Sequence, residues 1–142
     1  MLTFWEISCL VKQNYDKATD SVCKRHGIKH REFDILMYLN DYPDQATATD
    51  IVKKENLSKS HVSVSLRALE EKGLIRGEYR GSNRRTIYLS LNESASKIIN
   101  DGIEARMNFA KNMLNGFSEA EATEFRDYLI RLNKNIISQS KK

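Results

Sequence analysis

Residues 57–91 read Leu57-Ser58-Lys59-Ser60-His61-Val62-Ser63-Val64-Ser65-Leu66-Arg67-Ala68-Leu69-Glu70-Glu71-Lys72-Gly73-Leu74-Ile75-Arg76-Gly77-Glu78-Tyr79-Arg80-Gly81-Ser82-Asn83-Arg84-Arg85-Thr86-Ile87-Tyr88-Leu89-Ser90-Leu91. Two periods meet in this stretch. Up to Lys72, Val62, Leu66 and Leu69 recur at steps of four and three, the spacing of one helix face. Ser58 is a good N-cap for that helix, and Gly73 can take the left-handed conformation that ends it. Lys59, Ser60, Ser63, Val64 and Arg67 fall largely off the apolar face. After Gly73 the period changes to two. Leu74 to Tyr79 reads as a strand, Arg80-Gly81-Ser82-Asn83 as a turn, and Arg85 to Leu91 as a return strand in which Ile87, Leu89 and Leu91 alternate with Tyr88 and Ser90. A hairpin of two strands is marginal alone, so it must pack on the helices before it.

Upstream, Thr47-Ala48-Thr49-Asp50 offers hydroxyls to the orphan N–H groups of a short helix, Asp50 to Glu55, and Asn56-Leu57 makes a brief turn. Phe33, Leu36, Met37 and Asn40, with Ile35 and Leu39 beside them, predict a helix ending before Tyr42-Pro43. A first helix carries the stripe Phe4, Ile7, Val11, Tyr15 and Ala18 and stops at Gly27. Downstream, Asn92 is placed to cap a long helix with the stripe Ile99, Ile103, Met107, Ala110 and Leu114, closed by Asn115-Gly116. Ser118 and Glu121 have the capping-box spacing, and Ala122, Phe125, Leu129, Leu132 and Ile136 follow as a last stripe. The terminal Lys141-Lys142 pair is expected to fray. The fold class is mainly α with a small β-hairpin wing, as one domain over 1–142.

The 142 residues carry 23 Lys+Arg against 19 Asp+Glu, a formal net charge of +4, and 40% hydrophobic with 30% charged residues argues against disorder. The longest apolar run is Ile35 to Leu39, far short of the ~20 residues of a membrane span. The opening Met1-Leu2-Thr3-Phe4-Trp5-Glu6 has no basic region ahead of its apolar residues, so no secretory signal and a cytoplasmic location are expected. No Gly-rich phosphate loop, no G-x-S-x-G elbow and no H-E-x-x-H occurs, so an enzyme is not expected, nor a cofactor. The charge is uneven. Residues 53–85 hold nine basic and four acidic residues, a net of +5, while the remainder is near balance at −1. A local cationic zone on a balanced chain is the footprint expected for nucleic acid.

Two short helices joined by a tight turn and followed by a basic hairpin form a helix-turn-helix with a wing. A helix fits the B-DNA major groove, with its N-terminal residues toward the base edges and the preceding helix bracing the backbone. The solvent face here is small and polar, with Ser58, Lys59, Ser60, His61 and Ser63, which allows close approach. Arg80, Arg84 and Arg85 around the Gly81-Ser82-Asn83 turn suit the negative potential of the minor groove. Lys59, Arg76, Arg80 and Arg84 are expected on phosphates.

The runs Ile28-Lys29-His30-Arg31-Glu32-Phe33, with Leu36 and Leu39, then Leu57 to Ser63, Leu69 to Ile75 and Ser82-Asn83-Arg84-Arg85 resemble the MarR family of bacterial transcriptional regulators. The resemblance implies a winged-helix homodimer with its DNA-binding region at 30–91 and dimerisation helices at 1–28 and 93–142. It implies binding to a pseudo-palindromic operator, most simply as a repressor, and release on binding a small molecule. The family usually has Arg at the position of Val64, where valine can instead pack on a thymine methyl. Readout then leans on Ser60, His61, Ser63 and Arg67. The family's wing acid is Asn83 here, so a neutral hydrogen bond replaces the ion pair that positions the wing Arg, and Arg85 is the foremost minor-groove residue. The family's Thr and Gly after the second strand are Asn92 and Ala95.

Other residues carry weaker signals. Cys9 neighbours the apolar stripe and reads as a buried structural thiol. Cys23, His26 and His30 have ligand types suited to zinc, but Gly27 separates the two His and a fourth ligand is missing, so no metal is expected. Phe4, Trp5, Tyr15 and Tyr38 suit either the core or a pocket for a small aromatic or phenolic effector. A winged-helix adaptor without strong specific DNA binding stays open, because Val64 and Asn83 both replace residues that serve DNA contact. A metal- or thiol-switched sensor is the third reading.

Overall fold

Phe33, Ile35, Leu36, Met37, Tyr38 and Leu39 are all buried, so the helix that carries them is the one on which its neighbours pack. The computed structural model describes residues 3–140, and the expectation for Lys141-Lys142 lies outside them. In chain order the elements are α1 (Phe4–His26), α2 (His30–Asp41), α3 (Ala48–Glu55), α4 (Lys59–Glu71), β1 (Ile75–Arg80), β2 (Asn83–Leu91), a 3-10 turn (Glu93–Ala95), α5 (Ser96–Met113) and α6 (Glu119–Ser140). They fall into two compact units, one reaching to Met107 and the other starting at Asn108.

In the first unit the core joins α2 to Val22 and Cys23 of α1, Ile51 of α3, Val62, Leu66 and Leu69 of α4, Leu89 of β2 and Ile98 and Ile99 of α5. Gly102 lets α5 lie against α2. A Cβ there would stand 2.7 Å from Phe33 Cε2 and 2.8 Å from Met37 Sδ. The hairpin is antiparallel, with Ile75 opposite Leu91 and Gly77 opposite Leu89, and an irregularity between Glu78 and Arg80. It is anchored where the Leu89 N–H donates to Ala46 O at 2.7 Å. The Tyr38 hydroxyl donates to Gln45 O at 2.7 Å, fixing the same loop from the core side.

A tie between distant segments locks the far end of α4. Lys72 Nζ donates to Glu32 Oε1 at 2.8 Å and to Gly27 O at 3.1 Å. Glu32 is buried, and its Oε1 also accepts the Lys29 N–H at the start of α2. A buried carboxylate is tolerable here because a cation and a helix-start amide both serve it.

Two expectations need correcting. Asn92 caps no helix with its side chain, because that amide is already engaged. Its Nδ2 donates to Gly73 O and its Oδ1 accepts from Arg76 Nη1, both at 2.9 Å, and the 3-10 turn intervenes before α5. Cys9 is exposed, and the buried thiol is Cys23. The cause is that α1 buries only its C-terminal part, at Thr19, Val22 and Cys23, leaving Phe4, Ile7 and Val11 exposed.

In the second unit, α6 opens on the expected capping box. Ser118 N–H donates to Glu121 Oε1 at 2.9 Å and Glu121 N–H to Ser118 Oγ at 3.1 Å. The predicted stripe is helical, but α6 buries no residue, and Phe125, Leu129, Leu132 and Ile136 are exposed.

Candidate nucleic-acid interface

The turn that presents α4 is set by two caps. Thr47 accepts the Asp50 N–H and Asp50 accepts the Thr47 N–H, a reciprocal start for α3. Asn56 ends α3 in the left-handed conformation, which Asn tolerates better than most residues. Two residues later Ser58 Oγ accepts the His61 N–H at 3.1 Å and opens α4. Lys72 continues the helical turn, and Gly73, at φ +72°, takes the positive φ that lets the chain leave toward β1.

Three sides of α4 then differ in kind. Val62, Ser65, Leu66 and Leu69 are buried. Lys59, Ser60, His61, Ser63, Val64 and Arg67 are exposed. One flank forms a groove of about 800 Å³ with α3 and β2, floored by Val52, Leu66 and Ile87 and rimmed by Lys53, Lys59 and Arg67. The first turn of α4 has no acidic residue, so its partial positive charge adds to that of Lys59.

The hairpin sorts its arginines into tethered and free. Arg76 Nη1 donates to Leu91 O at 3.1 Å and to Asn92 Oδ1 at 2.9 Å, at the wing base. Arg80 Nη1 donates to Pro43 O at 3.2 Å, with its guanidinium 4.6 Å from the centre of the Tyr88 ring. Arg80 therefore fastens the wing to the loop before α3 and is not a loose tip residue. The Arg84 guanidinium lies 5.5 Å from the Tyr79 ring centre. Asn83 Oδ1 accepts the backbone N–H groups of Arg85 at 3.0 Å and Thr86 at 3.3 Å, so it organises the turn and leaves the Arg85 side chain alone. Among the described residues, the cationic groups of Lys59, Arg67 and Arg85 have no polar partner.

The remaining sequence candidates lie apart from this surface. Trp5 is 75% exposed and meets Phe4 edge to face. Tyr38 is in the core. Tyr15 is half-buried and its hydroxyl accepts from Arg106 Nε at 2.9 Å, while Arg106 Nη1 reaches Asp41. Cys23 Sγ is 3.7 Å from His30 Nδ1, whose Nε2 is 3.3 Å from Asp20, whereas His26 turns to Asp101 at 2.7 Å. The described residues hold no cluster of three or more His, Cys, Asp or Glu suited to a metal. Burial pushes the Cys23 thiol up to about 11, so it is a poor ligand and a poor nucleophile near neutral pH.

Sequence reading overlooked Lys53 and Ile87 in the groove. Ile87 alternates like a core residue but is 54% exposed, since on that face it is Leu89 and, partly buried, Leu91 that pack on the core. It also overlooked Asp34 and Glu55, whose carboxyls are held above their ordinary range chiefly by burial.

An exposed second helix of a tight pair, followed by a cation-tipped antiparallel hairpin, defines a winged helix-turn-helix protein. Residues 26–85 match the sequence model of the MarR family. It is 29% identical to the HTH-type transcriptional regulator PecS of Dickeya dadantii (strain 3937), over 87% of this chain and 75% of the relative. Its fold is similar to that of the S. aureus MepR–DNA complex, with a TM-score of 0.74, 21% identity and 94% and 96% of the two chains covered. A MarR-family regulator from Listeria monocytogenes complexed with 26mer DNA gives a TM-score of 0.82, 19% identity and coverage of 98% and 92%. Among the described residues, no helix is long and apolar enough to cross a membrane.

Proposed function

We propose that this protein is a cytoplasmic transcriptional regulator that binds a pseudo-palindromic operator as a homodimer and acts as a repressor. The observation that carries this reading is the set of unpartnered cations, Lys59, Arg67 and Arg85, spread over α4 and the wing tip. The two relatives solved with DNA support the same use of the fold. In this reading α4 (with Ser58, Ser60, His61, Ser63 and Val64) enters the major groove and Arg85 the minor groove. Arg84 lies on the adjacent backbone, while Arg76, Arg80 and Asn83 hold the wing in shape.

Dimerisation is supported by the apolar residues left exposed on α1 (Phe4, Trp5, Ile7) and, separately, on α6 (Phe125, Leu129, Leu132, Ile136). Exposed apolar faces of this kind need a partner, and a second copy of 1–28 and 93–142 supplies one. Paired copies would set their α4 helices about 34–36 Å apart, roughly 10 bp between half-site centres. A small aromatic or phenolic effector that releases the operator completes the reading, with Trp5 and Tyr15 as its contacts.

The test is binding of the full chain to random and selected duplexes as salt is raised. Affinity is expected to fall with a log–log slope of about −0.9 per phosphate neutralised. Arg67→Ala and Arg85→Ala are each expected to weaken operator binding by ~1–3 kcal/mol. Salt-insensitive, feeble binding would favour an adaptor module, and full affinity in both variants would refute the assigned roles.

A further inference from the structure

The outward pole of α4 carries one side chain that neither the core nor the cationic surface accounts for. Val64 is 65% exposed, one turn after Ser60 and beside Arg67 on the side opposite Val62, Leu66 and Leu69. It takes no part in lining the groove between α4 and β2. Its branched Cβ makes valine a mediocre helix former, and an exposed isopropyl gains no packing in return. The surrounding exposed positions of the helix are polar, so the apolar residue is an exception at the centre of the face.

The base edges of the major groove offer one apolar feature, the C5-methyl of thymine, against the donors and acceptors of every other position. Resting on the DNA-binding reading above, we propose that Val64 is a specificity-determining residue whose isopropyl packs on the C5-methyl of one thymine in each half-site. The small Ser60 side chain one turn earlier lets the helix approach to van der Waals distance. An isopropyl facing the N4 amino group of cytosine would strip its water and return no acceptor, which disfavours cytosine there.

The experiment selects duplexes from a random pool with the full chain, then replaces each thymine of the selected site, one at a time, by deoxyuridine. Deoxyuridine keeps the base pair and the O4 acceptor and lacks only the methyl. One position per half-site is expected to lose about fourfold in affinity, the worth of one buried methylene-sized group. In Val64→Ala the selected site and its deoxyuridine version should bind alike. Alanine is the better helix former at this exposed position, so loss of fold does not confuse the result. If no thymine is distinguished from deoxyuridine, or if Val64→Ala keeps the distinction, the role of Val64 is overturned while DNA binding stands. If no sequence is enriched at all, the DNA-binding reading falls and this inference with it.

Discussion

Replacing Lys72 by methionine tests whether the far end of α4 is held by charge or by packing alone. In the folded chain Lys72 Nζ lies 2.8 Å from Glu32 Oε1 and 3.1 Å from Gly27 O. The Glu32 side chain is 4% exposed, whereas that of Lys72 is 39% exposed. Breaking a fully buried pair by removing one partner costs about 3–5 kcal/mol, because a charge is stranded away from water. Here Glu32 keeps the Lys29 N–H, and the half-open lysine side of the pair is screened, which brings the expected cost to about 2 kcal/mol. For a chain of this length that is a fall in Tm of ~8 °C. The assay is thermal unfolding followed by circular dichroism at fixed protomer concentration, since a dimer's Tm moves with concentration. Glu32→Gln in the Lys72→Met background should recover about 1 kcal/mol or more relative to additivity, because the stranded charge is then gone. A Tm for Lys72→Met within about 1 °C of wild type, or strictly additive variants, would refute the tie.

Two further outcomes follow from titration behaviour. Burial raises the Asp34 carboxyl above its ordinary range despite Lys12 Nζ at 3.8 Å. An acid raised in the folded state adds stability only while protonated, and that contribution is lost as pH rises through the folded value. Asp34→Asn should therefore raise Tm by a few degrees at pH ~7 and change little at pH ~3.5, where the wild-type group is already protonated; a lower Tm at neutral pH would contradict this. Thiol titration of the native protein at neutral pH should find the exposed Cys9 reactive and Cys23, pushed up to about 11, silent until unfolding. Two equally fast thiols would show that the packing around Cys23 is wrong.

Sequence pattern reached the interface more fully than it reached the restraints behind it. Ser58, the Val62–Leu66–Leu69 face and Gly73 are local signals, each decided within one or two turns of chain, and all three occur as read. The stripes of α1 and α6 gave the right helices and little burial, because a 3.6-residue period states that a face needs covering and not which chain covers it. Asn92 has the right chemistry for a cap, but partners 16 and 19 residues away claim its amide. Its place beside the Gly81-Ser82-Asn83 turn makes Arg80 a tip residue by sequence, whereas Pro43 O, 37 positions earlier, takes it. Glu32 and Lys72 are 40 residues apart, and nothing in either local window distinguishes them from solvated charges.

Those long-range ties bear directly on how the surface would bind. Arg76 and Arg80 are spent on Leu91, Asn92 and Pro43, so the wing is fastened at its base and along its length, while Lys72 fastens α4 at its C-terminal end. What stays loose includes the ends of the Lys53, Lys59, Arg67 and Arg85 side chains. A polyanion meeting this surface would order only those side chains, at about 0.5–1.5 kcal/mol each, rather than a whole helix and hairpin. The tethered arginines therefore contribute through the shape they hold, and their loss should loosen the wing and erode affinity broadly across DNA sequences. Loss of Arg85 should instead remove one contact from an intact frame. The two classes are separable by proteolysis of the wing, which Arg80→Ala should speed and Arg85→Ala should leave unchanged; equal cleavage in both would mean the tether to Pro43 carries no restraint.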